Sequence, residues 1–139
     1  MEKGQRAILD VLAERGIDTR GLVIANSAGL ARETRISARQ LAAVLEAAWN
    51  SPYMPEFVSS LALSGLDGTL RSRFRGAPAA GRMHLKTGRL DDVSAVAGYV
   101  DAASGQRMMV VLMVNAQDAH LGPGEELQNA LLNWVYRNH

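Results

Sequence analysis

Lys86, Thr87 and Gly88 stand in succession within the run Arg82-Met83-His84-Leu85-Lys86-Thr87-Gly88-Arg89, and their types suit the holding of a carboxylate. Lysine supplies three donors and a fixed positive charge, threonine adds one donor, and glycine removes the Cβ that would keep a ligand away from the main chain. A bare Lys-Thr-Gly also reads as a strand end followed by a turn, so its meaning rests on the elements around it. Lys86 is one of two lysines against thirteen arginines and the only one in the body of the chain.

The elements that must position this tripeptide follow from periodicity. Ala7, Ile8, Val11 and Leu12 have helical spacing between Gly4 and Arg15, with Gly16 placed to close the helix. Gly21 to Ile24 reads as a brief strand, and Asn26 to Gly29 as a turn. Ser37 and Gln40 have the capping-box spacing, which predicts a helix from there to Trp49 with Leu41, Val44, Leu45 and Ala48 as its apolar stripe. Pro52 and Pro55 stop it before a shorter helical piece from Glu56 to Leu63. From residue 83 the period changes. Met83 to Arg89, Val93 to Asp101 and Arg107 to Val114 are strand candidates, and connections this short favour antiparallel neighbours. The second and third are apolar at odd and even positions, so both of their faces are expected to be covered. The first is more polar and reads as a sheet edge, with His84 and Lys86 on one pleat and Met83, Leu85 and Thr87 on the other. A final helix begins near Pro123, with two acids in its first turn and Leu127, Ala130, Leu131, Trp134 and Val135 on the face that should lie on the sheet. The fold class is α/β of the α+β type, an antiparallel sheet of at least three strands with helices packed on it.

Composition removes several classes of function. The 139 residues fit one unit, 1–139, and a net charge of +1 gives no electrostatic argument for nucleic acid or an anionic membrane. With no cysteine there is no disulfide framework, thiolate metal site or cysteine nucleophile. His84, His120 and His139 share no ligand spacing, so neither a metal nor a cofactor is expected. The opening residues lack the apolar core of a signal peptide, and no apolar stretch approaches the roughly 20 residues that span a bilayer. Ala25 to Gly29 resembles a nucleophile elbow, with Asp91 and His120 following in the α/β-hydrolase order, but that fold needs a larger parallel sheet. Residues 81–87 lack the glycine a phosphate-binding loop needs before its lysine. Arg71, Arg73 and Arg75 around Phe74 read as a solvated face rather than a nucleic-acid patch.

Three stretches carry a resemblance: residues 22–32, Ser64-Gly65-Leu66-Asp67-Gly68-Thr69-Leu70, and His84-Leu85-Lys86-Thr87-Gly88-Arg89-Leu90, the last leading into Val96 to Val100 and Ser104 to Met108. Together they are similar to the C-terminal portion of a D-alanyl-D-alanine carboxypeptidase/endopeptidase, the low-molecular-mass class C penicillin-binding proteins of peptidase family S13. The resemblance runs over nearly the whole chain and implies the C-terminal part of a β-lactamase/transpeptidase-like domain. Such enzymes acylate a serine with a peptide or a β-lactam, using Ser-x-x-Lys, Ser-x-Asn and Lys-Thr-Gly. Neither serine motif occurs here, and Tyr136-Arg137-Asn138, a variant-like echo of the second, lies after Lys-Thr-Gly and reads as a helix end. The chain is therefore expected to be a fragment that lacks its nucleophile and the N-terminal part of its domain.

By the same resemblance, Lys86 would hold charge beside the nucleophile and the substrate carboxylate, Thr87 would donate to that carboxylate, and Gly88 would leave room. The amide of Arg89 would form half of an oxyanion hole, although the family commonly has Ser or Thr there. Implied partners are peptidoglycan peptide stems ending in D-Ala-D-Ala and, for the intact protein, β-lactams, in a periplasmic or otherwise extracytoplasmic setting. Residues 107–114, flanked in the family fold by strands absent here, would be an apolar edge inviting self-association. The alternative is a non-catalytic binding or scaffold module with a transpeptidase-like half fold.

Overall fold

The computed structural model describes residues 3–26 and 31–139. Helix α1 spans Lys3–Glu14. It closes through the Gly16 amide on Ala13 O, with Gly16 at φ 73°. The expected strand at 21–24 reduces to one antiparallel bridge, Val23 with Arg35, and the expected turn at 26–29 lies largely outside the described residues.

Helix α2, Ala38–Trp49, begins with the capping box that its sequence predicts. The Ser37 hydroxyl accepts from the Gln40 amide, and the Gln40 side chain accepts from the Ser37 amide. Gln40 also donates to the carbonyls of Asp18 and Arg20, tying the cap to the preceding loop. Helix α3 is Met54–Ser59, with Pro55 in its first turn. The expected helical piece to Leu63 ends early, because Ala62–Leu63 forms a short strand, β1, against the strand that follows. Ser64 explains the switch. Its buried hydroxyl donates to Ala79 O at 2.7 Å and accepts from Met83 N at 3.2 Å, fastening β1 to the loop across the sheet end. After a 3-10 turn at Gly68–Leu70, strands β2 (Met83–Leu90), β3 (Val93–Asp101) and β4 (Arg107–Asn115) complete one antiparallel sheet in the order β1-β2-β3-β4. Helix α4 is Pro123–Asn138.

The covered faces of β3 are accounted for by helices on both sides. On one face, Met83, Leu85, Val96 and Val100 pack with Leu70, Ala79 and Leu132 of α4. On the other, Tyr99 joins Leu45 of α2, Val58 of α3 and Leu61. Burial of apolar side chains at about 25 cal/mol per Å² is the main stabilising term for such a sandwich. The Tyr99 hydroxyl donates to Leu45 O at 2.6 Å inside this second cluster, so the helix is held by a polar contact as well as by packing. On the other face, α4 meets β3 closely at Gly124, where a Cβ would stand 2.5 Å from the Ser94 Cβ and 2.7 Å from Ala119 O. Only glycine permits that approach. Among the described residues no helix is long and apolar enough to cross a membrane.

Candidate active site

Strand β2 pairs with β3 along its whole length, from Met83 with Val100 to Leu90 with Val93. Against β1 it pairs only at His84 and Leu85. Among the described residues, therefore, the edge of β2 facing away from β3 is free from Lys86 onward. Alternate residues of an antiparallel strand direct their amides and carbonyls to each side, so this stretch offers unpaired main-chain groups to an extended ligand.

The pleat sorts the side chains as the sequence predicts. Thr87 follows Met83 and Leu85 toward the α4 face, whereas Lys86 and Gly88 lie on the α2 and α3 face. The Lys86 side chain is exposed, and its Nζ donates to the Thr87 carbonyl at 2.7 Å, which keeps the ammonium beside the motif's own backbone. The Thr87 hydroxyl donates to the Thr69 hydroxyl at 2.9 Å, joining two of the stretches that carry the resemblance. Gly88 has no packing reason to be glycine. A Cβ there would meet only the Ala95 Cβ at 3.5 Å, an ordinary contact, and its backbone is in the range open to any residue.

Two cavities flank the free edge, and Thr87 and Gly88 line both. One, of about 420 Å³, is walled by Leu41, Val44, Leu45, Phe57 and Leu61 opposite Lys86. The other, of about 370 Å³, lies toward α4 and is polar, with Thr69, Arg73, Arg89 and Glu125 among its walls. Both are within the size range of small-ligand sites. Arg89 is exposed and pairs with Glu125 at 3.2 Å, an interaction worth at most about 1 kcal/mol at the surface.

The structure thus brings Lys86, Thr87, Gly88 and Arg89 onto one free strand edge. Sequence reading missed Thr69 and Arg73 beside them. Arg73, read as part of a solvated arginine face, is buried, with its Nε donating to Asn129 Oδ1 and Nη1 to Gln128 Oε1. Nothing local signals this, since those partners lie on α4, 56 and 55 residues away. The hydrolase alternative loses its base. His120 and Asp91 do approach, to 3.9 Å, but His120 Nδ1 accepts the Asp92 amide, which leaves the proton of the neutral ring on the Nε2 that faces Asp91. Ser27 lies outside the described residues. Residues 81–87, weighed as a phosphate loop, are mostly strand. His139 stacks edge-on against Trp134.

Comparison with known proteins identifies the family and the fold. Residues 1–136 match the model of the D-Ala-D-Ala carboxypeptidase 3 (S13) family. A D-alanyl-D-alanine carboxypeptidase of Actinomadura sp. is 32% identical over 127 residues, 88% of this chain and 23% of the relative. Carboxypeptidase DacB of Mycolicibacterium smegmatis is 36% identical over 115 residues, 78% of this chain and 25% of the relative. The chain therefore spans about a quarter of the length of these relatives. Among solved structures, penicillin binding protein 4 of Haemophilus influenzae superposes with a TM-score of 0.83 at 22% identity, over 96% of this chain and 31% of that one. The same protein complexed with a β-lactam gives 0.82 over 94% and 32%. That likeness shows the fold, an α+β C-terminal portion with an antiparallel sheet, and the family match shows the lineage: this chain belongs to the D-Ala-D-Ala carboxypeptidase 3 (S13) family.

Proposed function

We propose that this chain is the Lys-Thr-Gly portion of a serine-type D-Ala-D-Ala carboxypeptidase/endopeptidase that acts, outside the cytoplasm, on the peptide stems of peptidoglycan and is acylated by β-lactams. The observation that carries this reading is the stretch of β2 that β1 leaves unpaired, because it holds Lys86, Thr87 and a glycine the chain's own packing does not need. A peptide adding along that edge would meet main-chain donors first and then the ammonium and hydroxyl on either side. Thr87, rotating its one proton away from Thr69, donates to the terminal carboxylate, and a hydrogen bond to a charged group contributes about 1.5 to 3 kcal/mol. Lys86 supplies positive charge to the acyl-accepting serine and the carboxylate.

The Arg89 amide donates to the developing oxyanion, a role whose loss costs roughly 2.7 to 4 kcal/mol in the barrier. Replacement of the family's usual small hydroxyl by Arg89 spares that amide. The nucleophile comes from outside these 139 residues, which contain no Ser-x-x-Lys. Incubation with a fluorescent penicillin tests the reading. The isolated chain should form no covalent adduct, whereas a full-length protein containing it should label and lose labelling on Lys86→Ala. An adduct on the isolated chain, or undiminished labelling of the Lys86→Ala protein, refutes it.

A further inference from the structure

The two-residue turn that ends β2 is held by contacts that the reading above leaves unused. Met83 O accepts from Ser64 N on the β1 side, and alternation along an antiparallel strand directs the Arg89 amide to that same side. β1 reaches only Leu85, so among the described residues the end of β2 has β3 as its one sheet neighbour. Its further support comes through Asp92. The Asp92 amide donates to His120 Nδ1 at 2.9 Å, the Asp92 carboxylate accepts from the Asp118 amide at 2.8 Å, and Asp92 O accepts from Ala116 N at 3.0 Å. Asp92 has φ 63° and Asp118 φ 59°, left-handed conformations that aspartate tolerates because its short side chain can hydrogen-bond locally. The turn is thereby fastened to the connection between β4 and α4.

Of these contacts, the one to His120 depends on protonation. Nδ1 accepts only in the neutral ring that carries its proton on Nε2, and an imidazolium would set an N–H against the Asp92 N–H. The His120 side chain is 21% exposed, so protons reach it, and imidazole is the side chain whose unperturbed titration falls between about pH 5 and 8. Asp91 Oδ1 stands 3.9 Å from Nε2, and the other oxygen of that carboxylate pairs with Arg32 at 2.9 Å. Arg89, Glu125 and Glu126 share a cavity of about 450 Å³ with His120, and Glu125 pairs with Arg89 at 3.2 Å. Asp118 lies two residues before the ring on the chain. These carboxylates attract a charged ring, but none of them restores an acceptor to the Asp92 amide.

We propose that His120 is a positioning residue: its neutral ring latches the turn between β2 and β3 and so holds the Arg89 amide in place on the free edge, and protonation of the ring releases the latch. The inference rests on the function proposed above, in which that amide donates to the developing oxyanion. His120 needs no contact with ligand or nucleophile for this, because its effect passes through Asp92 to the last residues of β2. A misplacement of about 1 Å at a reacting centre costs on the order of a hundredfold in rate. A turn still held by Asp118 and Ala116 moves less, so a loss of roughly threefold to tenfold is expected.

The ¹⁵N-labelled chain, followed from about pH 8 to about pH 5.5, reads the latch through the Asp92 amide proton. That proton should lose its hydrogen-bonded shift in one titration that coincides with that of the His120 ring. His120→Asn, whose Oδ1 can stand where Nδ1 stands and does not titrate, should keep the bond across the range, and His120→Leu should lack it throughout. An Asp92 amide indifferent to pH, or one that titrates equally in His120→Asn, would overturn the latch. In a full-length protein containing the chain, the rate of penicillin labelling of the wild type divided by that of His120→Asn should fall roughly threefold to tenfold over the same range. A constant ratio would overturn the positioning role, since a contact that serves stability alone leaves it unchanged. The two readings fail separately. Labelling that depends on Lys86, together with an Asp92 amide indifferent to pH, sinks the latch alone. An Asp92 amide that follows His120, together with labelling that survives Lys86→Ala, sinks only the proposed function.

Discussion

Replacing Gly88 by alanine separates the demands of the ligand from those of the fold. The added Cβ would lie 3.5 Å from the Ala95 Cβ, with no backbone atom within 4 Å outside its chain neighbours, so the chain itself has room for it. Glycine inside a strand is less stable than alanine by roughly 0.5 to 1 kcal/mol. The Gly88→Ala chain should therefore be as stable as the wild type or more stable by that amount, visible as an unchanged or higher urea midpoint and a rise of up to roughly 3 °C in Tm. Acylation should move the other way. If a ligand lies against the main chain at residue 88, a methyl group wedged into that contact costs about 1 to 3 kcal/mol, slowing penicillin labelling of the full-length protein about 5- to 150-fold. Stability and labelling would then change in opposite directions from one substitution. A loss of more than about 1 kcal/mol in the isolated chain would show that Gly88 is a packing requirement. An unchanged labelling rate would show that no ligand approaches there.

Other substitutions test the scaffold. Gly124→Ala, which would push a Cβ to 2.5 Å from that of Ser94, should destabilise the chain by about 1 to 3 kcal/mol in urea titrations; a neutral result would mean that α4 is not held as closely as described. Tyr99→Phe leaves Leu45 O without its buried donor and should cost about 1 to 2 kcal/mol, with an unchanged midpoint counting against that bond. Arg107, hydrogen-bonded to Asp101, holds that carboxyl below its ordinary 3.8. A depressed folded pKa stabilises fully above the unfolded value and is lost as pH falls through the folded one, so Asp101→Asn should flatten the acid limb of the stability profile; parallel profiles would exclude the linkage. Among the described residues β4 pairs only with β3, and its Met109 is exposed. Sedimentation should show concentration-dependent self-association through this edge, whereas a monomer at every concentration would refute it.

What could be read in the sequence was what neighbours in the chain decide. Ser37 and Gln40 fix the start of α2 across three residues, and the two-residue and five-residue connections around β3 force antiparallel pairing. Lys86 and Thr87 were separable onto two faces by the pleat alone. The features that escaped are made by distant partners. Ala62 and Leu63 continue a helical pattern and become strand only because β2 is there to pair with them. Arg73 sits in an arginine-rich stretch that resembles surface, and its burial is decided by Gln128 and Asn129 on α4. Thr69 has no signal of its own until the 3-10 turn sets its hydroxyl against Thr87.

The order of the sheet has a kinetic corollary. Every strand lies beside its immediate predecessor along the polypeptide, and the connections on either side of β3 are short, so little configurational entropy must be lost before β2, β3 and β4 first make contact. Topologies of this local kind assemble quickly. The segment that bears the lysine can thus zip up as a pair of hairpins, and under the proposed function the rest of the enzyme would meet a ready-made rim rather than having to thread into an unfinished one.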